Sequence, residues 1–139
     1  MNPIFLLDTN ILSEPLKPSP NATVLDYLHR HSREIATATV VWHELGFGAE
    51  RLPPGRRRDT VKRYLHEVAA AHLLILPHDQ EAATWHARER AWLVAAGQTP
   101  AFADGQIAAI AAVNSLTLVT RNLRDFQPFR GFRVTNWFP

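Results

Sequence analysis

The chain has 139 residues, no cysteine and a formal net charge of +2. That length buries a full hydrophobic core without cross-links, the missing thiols exclude a disulfide framework and any thiolate zinc site, and no apolar run is long enough to cross a bilayer. Thirteen of the fifteen basic residues are arginine, whose planar fork suits phosphate, so an anionic partner is permitted although so small a balance does not establish one. With no basic region ahead of its first apolar stretch, the sequence reads as a soluble, unexported protein of the reducing cytoplasm.

The first predicted element is a strand at "IFLL", Ile4 to Leu7, with no alternation of polar and apolar residues. Such a strand is covered on both faces, as in a parallel sheet. Asp8, Thr9 and Asn10 follow at its carboxyl end. Ser19 and Pro20 predict the cap and first residue of a helix over about 20 to 31. A short strand from Ile35 to Ala38 leads to a helix capped by Thr39 and weakened beyond Gly46 and Gly48. "PPG" at 53 to 55 breaks the chain before a helix over 56 to 71 that opens with Arg56, Arg57 and Arg58. "LLILP", Leu73 to Pro77, is the next apolar strand. Asp79 caps a helix over about 80 to 96 that ends at Gly97 and carries Trp85 and Trp92 on one face. A helix from about Ala101 to Asn114, the strand "LTLVT", the loop "RNLRDFQPFRG" and a strand near Phe132 to Thr135 complete the series. Strands alternating with helices predict an α/β fold, a three-layer α/β/α sandwich around a mainly parallel sheet.

Most of the thirteen acidic residues fit ordinary surface roles. Asp59 and Glu67 sit one helical turn either side of Arg63; Glu34, Glu50, Glu81 and Glu89 read as solvated, Asp79 as a cap and Glu14 as a loop residue. Four acids stand apart. Glu44 has Val40, Val41, Phe47 and Gly48 at helical spacing, and Asp104 has Pro100, Ala101, Ile107 and Ala108. An ionised carboxylate on such a face is costly unless paired or bound to a cation. Asp8 and Asp125 follow strands, at the edge where open α/β sheets bind ligands.

Each of the four also has an ordinary structural reading. Asp8, Thr9 or Asn10 can cap a helix beginning at Ile11. Glu44 can accept backbone hydrogen bonds or pair with an arginine. Asp104 suits a helix first turn, and Asp125 can bond its own backbone in a turn. Their joint placement is what points to chemistry: carboxylates gathered at one sheet edge repel one another unless a cation neutralises them. Oxygen ligands select a hard ion, Mg²⁺ or Mn²⁺, and the matching reaction is phosphodiester hydrolysis. Competing motifs are incomplete: "HELGF" lacks a second histidine for zinc, no Gly-rich phosphate loop is present, and "DTN" lacks the second Asp of a phospho-aspartyl enzyme. A nucleic-acid-binding module without catalysis, its acids structural, is the alternative from another class.

"LLDTNILSE", "TVVWHELGFGAER", "FADGQIAAIAAVNSLTLVTRNLRDF" and "GFRVTNW" resemble, in order and spacing, a PIN-domain ribonuclease of the VapC type, over essentially the whole chain. The resemblance implies a single PIN domain over 1–139, the toxin of a type II toxin-antitoxin pair. Such a protein is an Mg²⁺- or Mn²⁺-dependent endoribonuclease acting on RNA, homodimeric and silenced by a small antitoxin. It implies Asp8, Glu44 and Asp104 as the metal-site acids, with Asp8 and Asp104 the principal ligands, Asn10 orienting the first carboxylate and Thr120 hydrogen-bonding within the pocket. The fourth position falls to Asp125 or to Asn122, since some members carry an acid where Asn122 stands. Arg56, Arg57 and Arg58 are candidate phosphate contacts; Trp85 and Trp92 are expected to pack in the core or between subunits.

Overall fold

The structure, a computed structural model, describes residues 3–71 and 73–139. Among them five strands, β1 (Phe5–Leu7), β2 (Ile35–Ala38), β3 (Leu74–Leu76), β4 (Thr117–Val119) and β5 (Arg133–Thr135), form one sheet in the order β3-β2-β1-β4-β5. Every pairing is parallel, with Leu6 opposite both Ala36 and Leu118. The carboxyl ends of all five strands therefore share one edge. The chain builds outward from β1 to β3 on one side and returns to add β4 and β5 on the other. With right-handed crossovers, these opposite directions put the helices of the two halves on opposite faces, which gives the α/β/α sandwich read from the sequence.

Helices fill the connections: α1 (Thr9–Leu12), α2 (Ala22–Arg30), α3 (Thr39–Arg51), α4 (Arg56–Ala70), α5 (Gln80–Ala95), α6 (Phe102–Val113) and α7 (Leu123–Phe126). The core runs through the centre of the sheet. Leu6, Leu7, Leu118 and Val119 are fully buried, and α6 is sunk against them through Ile107, Ala108, Ala109, Ile110 and Ala111. α5 approaches α6 so closely at Gly105 that a Cβ there would lie 2.1 Å from His86 Nε2. Gly97, at φ +80°, ends α5 in the left-handed conformation that glycine adopts without steric cost, and Gln98 N–H closes the turn on the Leu93 carbonyl at 2.8 Å.

Several local expectations are corrected. Asn21, rather than Ser19, caps α2, its Oδ1 accepting from Val24 N–H at 3.1 Å. The cap position of α3 falls on Ala38, and α3 continues through Gly46 and Gly48 to Arg51. The "RNLRDFQPFRG" loop contains α7. Glu14, read as a loop residue, and Glu89, read as solvated, are both buried. Glu14 accepts from Asn21 N–H at 2.8 Å and pairs with Lys17 at 2.9 Å, which holds its carboxyl below the ordinary range. Glu89 receives the Arg130 N–H at 2.8 Å and its guanidinium at 3.1 Å.

Candidate functional site

β1 and β4 are neighbours, and the strand order reverses between them, so the crevice at their carboxyl ends is the topological switch point where α/β sheets bind ligands. Asp8 and Thr120 are the first residues past these strands. Backbone pairing fixes both: Asp8 N–H donates to the Val119 carbonyl at 2.9 Å and Thr120 N–H to the Thr135 carbonyl at 2.9 Å. The buried Thr120 hydroxyl then donates to Asp8 Oδ2 at 2.7 Å and accepts from Asn122 N–H at 3.1 Å. Asp8 Oδ1 accepts from Thr9 N–H at 2.8 Å as the cap of α1. Capping and site geometry thus use different oxygens of one carboxylate, and the two readings of Asp8 coexist.

Glu44 reaches the same edge from α3. Its Oε2 accepts the Thr9 hydroxyl at 2.7 Å, so Thr9 donates to two carboxylates at once, through its backbone to Asp8 and through its side chain to Glu44. The expectation of an apolar face around Glu44 is corrected: Glu44 is exposed and Phe47 is 54% exposed. The buried side of α3 is the stripe Val41, Leu45 and Ala49, one position removed. Asp104 is half-buried in the first turn of α6, and Asp125 is exposed on α7. Both line an open cleft of about 510 Å³ together with Thr99, Pro100 and Arg124.

The electrostatics tie the four acids together. Burial first, and then the charges of Asp125, Asp8 and Glu44, push the Asp104 carboxyl up to about 6. Asp8 is also raised, by its own burial, against the opposing pull of the Thr120 hydroxyl and the Thr9 N–H, with Glu44 and Asp125 adding to the rise. Among the described residues none of the four pairs with a lysine, arginine or histidine side chain. The site is an acidic pocket short of countercharge.

Two supporting residues bond as follows. Asn10 Oδ1 accepts the Arg121 N–H at 3.0 Å, which fixes the segment after β4 against α1. Asn122 joins the network through its backbone N–H, and its side chain makes no cap bond to α7. Orientation of Asp8 falls to Thr9 and Thr120. Thr9 was missed as a bridging group, although its place next to Asp8 at a helix start is a signal for an inward hydroxyl. The arginine triplet is partly committed to the fold: Arg57 donates to the Leu16 carbonyl at 3.1 Å and Arg58 pairs with Glu50 at 2.8 Å. Trp85 packs on Phe129 and Phe132, and Trp92 lies 3.4 Å from the Arg130 guanidinium.

The PIN domain family model matches residues 5–129. Toxin FitB of Neisseria gonorrhoeae is 36% identical over 130 residues, covering 88% of this chain and 91% of the relative. VapC ribonuclease Y4jK of Sinorhizobium fredii is 30% identical over 140 residues, covering 98% and 99%. Among solved structures, FitAcB from Neisseria gonorrhoeae superposes with a TM-score of 0.88 at 32% identity, covering 96% of this chain and 98% of that one.

Proposed function

This chain belongs to the PIN-domain family, and from that footing we propose that it is a VapC-type toxin, an endoribonuclease that hydrolyses RNA phosphodiester bonds with Mg²⁺, or Mn²⁺, and is silenced by a small antitoxin. The observation that carries this reading is the gathering of Asp8, Glu44, Asp104 and Asp125 near the switch point, where burial first and then the charges of the other three push the Asp104 carboxyl up to about 6. A pocket of unpaired carboxylates costs stability unless a cation enters it.

The donor set fits such an ion. It is all oxygen, which suits hard divalent cations. Among the described residues no three acidic or imidazole side chains form a chelating group, and Mg²⁺ characteristically takes one or two carboxylates and completes its shell with water and substrate phosphate. Asp8 and Asp104 are the residues that would hold it. Bound there, the ion supplies a water of lowered pKa and screens charge developing on the phosphoryl oxygens. The chain's own part is orientation. Thr9 and Thr120 pin the two Asp8 oxygens, and the Thr9 hydroxyl holds Glu44 Oε2, leaving Oε1 to position the attacking water and take its proton. Asp125 completes the pocket from α7. The same reading makes residues 1–139 one PIN domain, working as a cytoplasmic homodimer. No helix among the described residues is long and apolar enough to span a membrane.

The test uses the purified chain freed of antitoxin, incubated with transfer and messenger RNA in Mg²⁺, in Mn²⁺ and in chelator. Cleavage is expected with either ion and is expected to vanish with chelator or Asp8→Ala. Calorimetric titration with Mg²⁺ is expected to show binding that Asp8→Asn and Asp104→Asn each weaken. Absence of cleavage across all substrates overturns the proposal. Function that survives both substitutions and chelation identifies a binding module with structural acids instead.

A further inference from the structure

We propose that Arg121, stacked on Phe138 at the rim of the carboxylate pocket, grips a backbone phosphate of the RNA strand flanking the one that is cut. The inference rests on the nuclease reading and adds a substrate-binding residue to it. Arg121 directly follows Thr120, whose hydroxyl holds Asp8, and its own N–H is anchored on Asn10 Oδ1 at 3.0 Å. Its backbone is therefore fixed from two directions beside the pocket. The exposed guanidinium lies 4.2 Å from the centroid of the Phe138 ring, and the Lys17 ammonium lies 6.0 Å from the same ring.

Arg121 forms no ion pair within 4 Å among the described residues; its charge helps to lower the carboxyl of Glu14, which Lys17 at 2.9 Å and Asn21 N–H at 2.8 Å already engage. A stacked guanidinium carried by the residue next to Thr120 is placed to meet a strand entering the carboxylate pocket. A polyanion approaching that pocket meets repulsion, and a cation at the entrance offsets it. Stacking on an aromatic face keeps the planar fork ordered while its N–H edge stays open to phosphate oxygens.

Arg121→Ala, Arg121→Lys and Phe138→Leu are compared with wild type, and with Arg133→Ala at the opposite edge of the sheet, by anisotropy of a fluorescein-labelled transfer RNA. Ca²⁺ replaces Mg²⁺, probe integrity is checked on a gel, and salt is varied over about 50 to 200 mM. Arg121→Ala is expected to weaken binding about 3- to 10-fold and to reduce the slope of log K against log salt by roughly 0.7 to 0.9, the loss of one phosphate contact. Arg121→Lys and Phe138→Leu are expected to keep the slope and lose about 2- to 4-fold in affinity, because charge remains while the ordered fork is lost. In Mg²⁺, KM is expected to rise for Arg121→Ala with kcat within about 2-fold, as for lost uniform binding. Arg133→Ala is expected to match wild type. A wild type that cuts RNA beside an Arg121→Ala variant with unchanged slope and KM, whatever its melting temperature, overturns this inference alone. A wild type that neither binds nor cuts RNA overturns the nuclease reading and this one with it.

Discussion

Asp104→Asn is expected to make the metal-free protein more stable while abolishing cleavage. The carboxyl is raised from 3.8 to about 6 in the fold, and at 1.36 kcal/mol per pH unit that gap sets a ceiling of about 3 kcal/mol on the cost of holding it ionised. The sign follows from which state binds the proton more tightly. Below about pH 4 Asp104 is protonated in both folded and unfolded chains and costs nothing. As pH rises through the folded value near 6, the unfolded chain gains more from ionisation, and stability is lost. Asparagine has the same shape and no charge, so urea denaturation in chelator is expected to show the variant ahead of wild type by about 1 to 3 kcal/mol at pH 8, with the gap closing toward pH 4. Added Mg²⁺ is expected to narrow the gap at pH 8, because it stabilises the folded state that binds it. A wild type as stable as the variant in chelator at pH 8 refutes the argument that the fold holds Asp104 ionised at a cost set by its burial and then by its acidic neighbours.

Three further substitutions test the supports. Gly105→Ala is expected to destabilise by about 1 to 3 kcal/mol despite alanine's helix preference, since the new Cβ meets a His86 ring that is itself buried against Phe102 at 4.8 Å; thermal melts check it, and His86→Ala in the same chain should restore part of the loss. Thr120→Val is expected to cost about 1 to 3 kcal/mol and, by removing a bond that lowers the Asp8 carboxyl, to move the acidic limb of the cleavage pH profile upward. Glu89→Ala is expected to cost about 1 to 3 kcal/mol by orphaning the Arg130 N–H and to change Trp92 fluorescence, because the guanidinium it holds lies on that indole; Glu89→Gln, which keeps an acceptor, should recover part of both.

The sheet was legible because β1 and β3 lie in the continuous apolar runs "IFLL" and "LLILP" and strands alternate with helices along the chain, a pattern that fits parallel topology. Local side-chain chemistry was less so. The neighbour test that singled out Glu44 on Val40, Val41 and Phe47 gave the wrong burial, since a helix in an α/β layer buries one stripe and Phe47 lies off it. Applied to Glu89, with Trp85, His86, Trp92 and Leu93 at the same spacings, that test would have found a buried acid that was read as solvated. What separates the two is outside the reach of helical spacing: Glu89 is buried because Arg130, 41 residues away, covers and satisfies it, whereas Glu44 has Thr9 on one side and open solvent on the other. Thr9 and Arg121 escaped notice for the same reason. Each is an ordinary residue beside a conspicuous one, and its role appears when β1 and β4, whose paired positions are 112 residues apart in sequence but adjacent in the sheet, set Asp8 against Thr120. Periodicity reports which face of an element is buried, and the strand order decides which unburied groups meet. The acids could therefore be ranked from sequence, while the hydroxyls and the arginine that organise them required the fold.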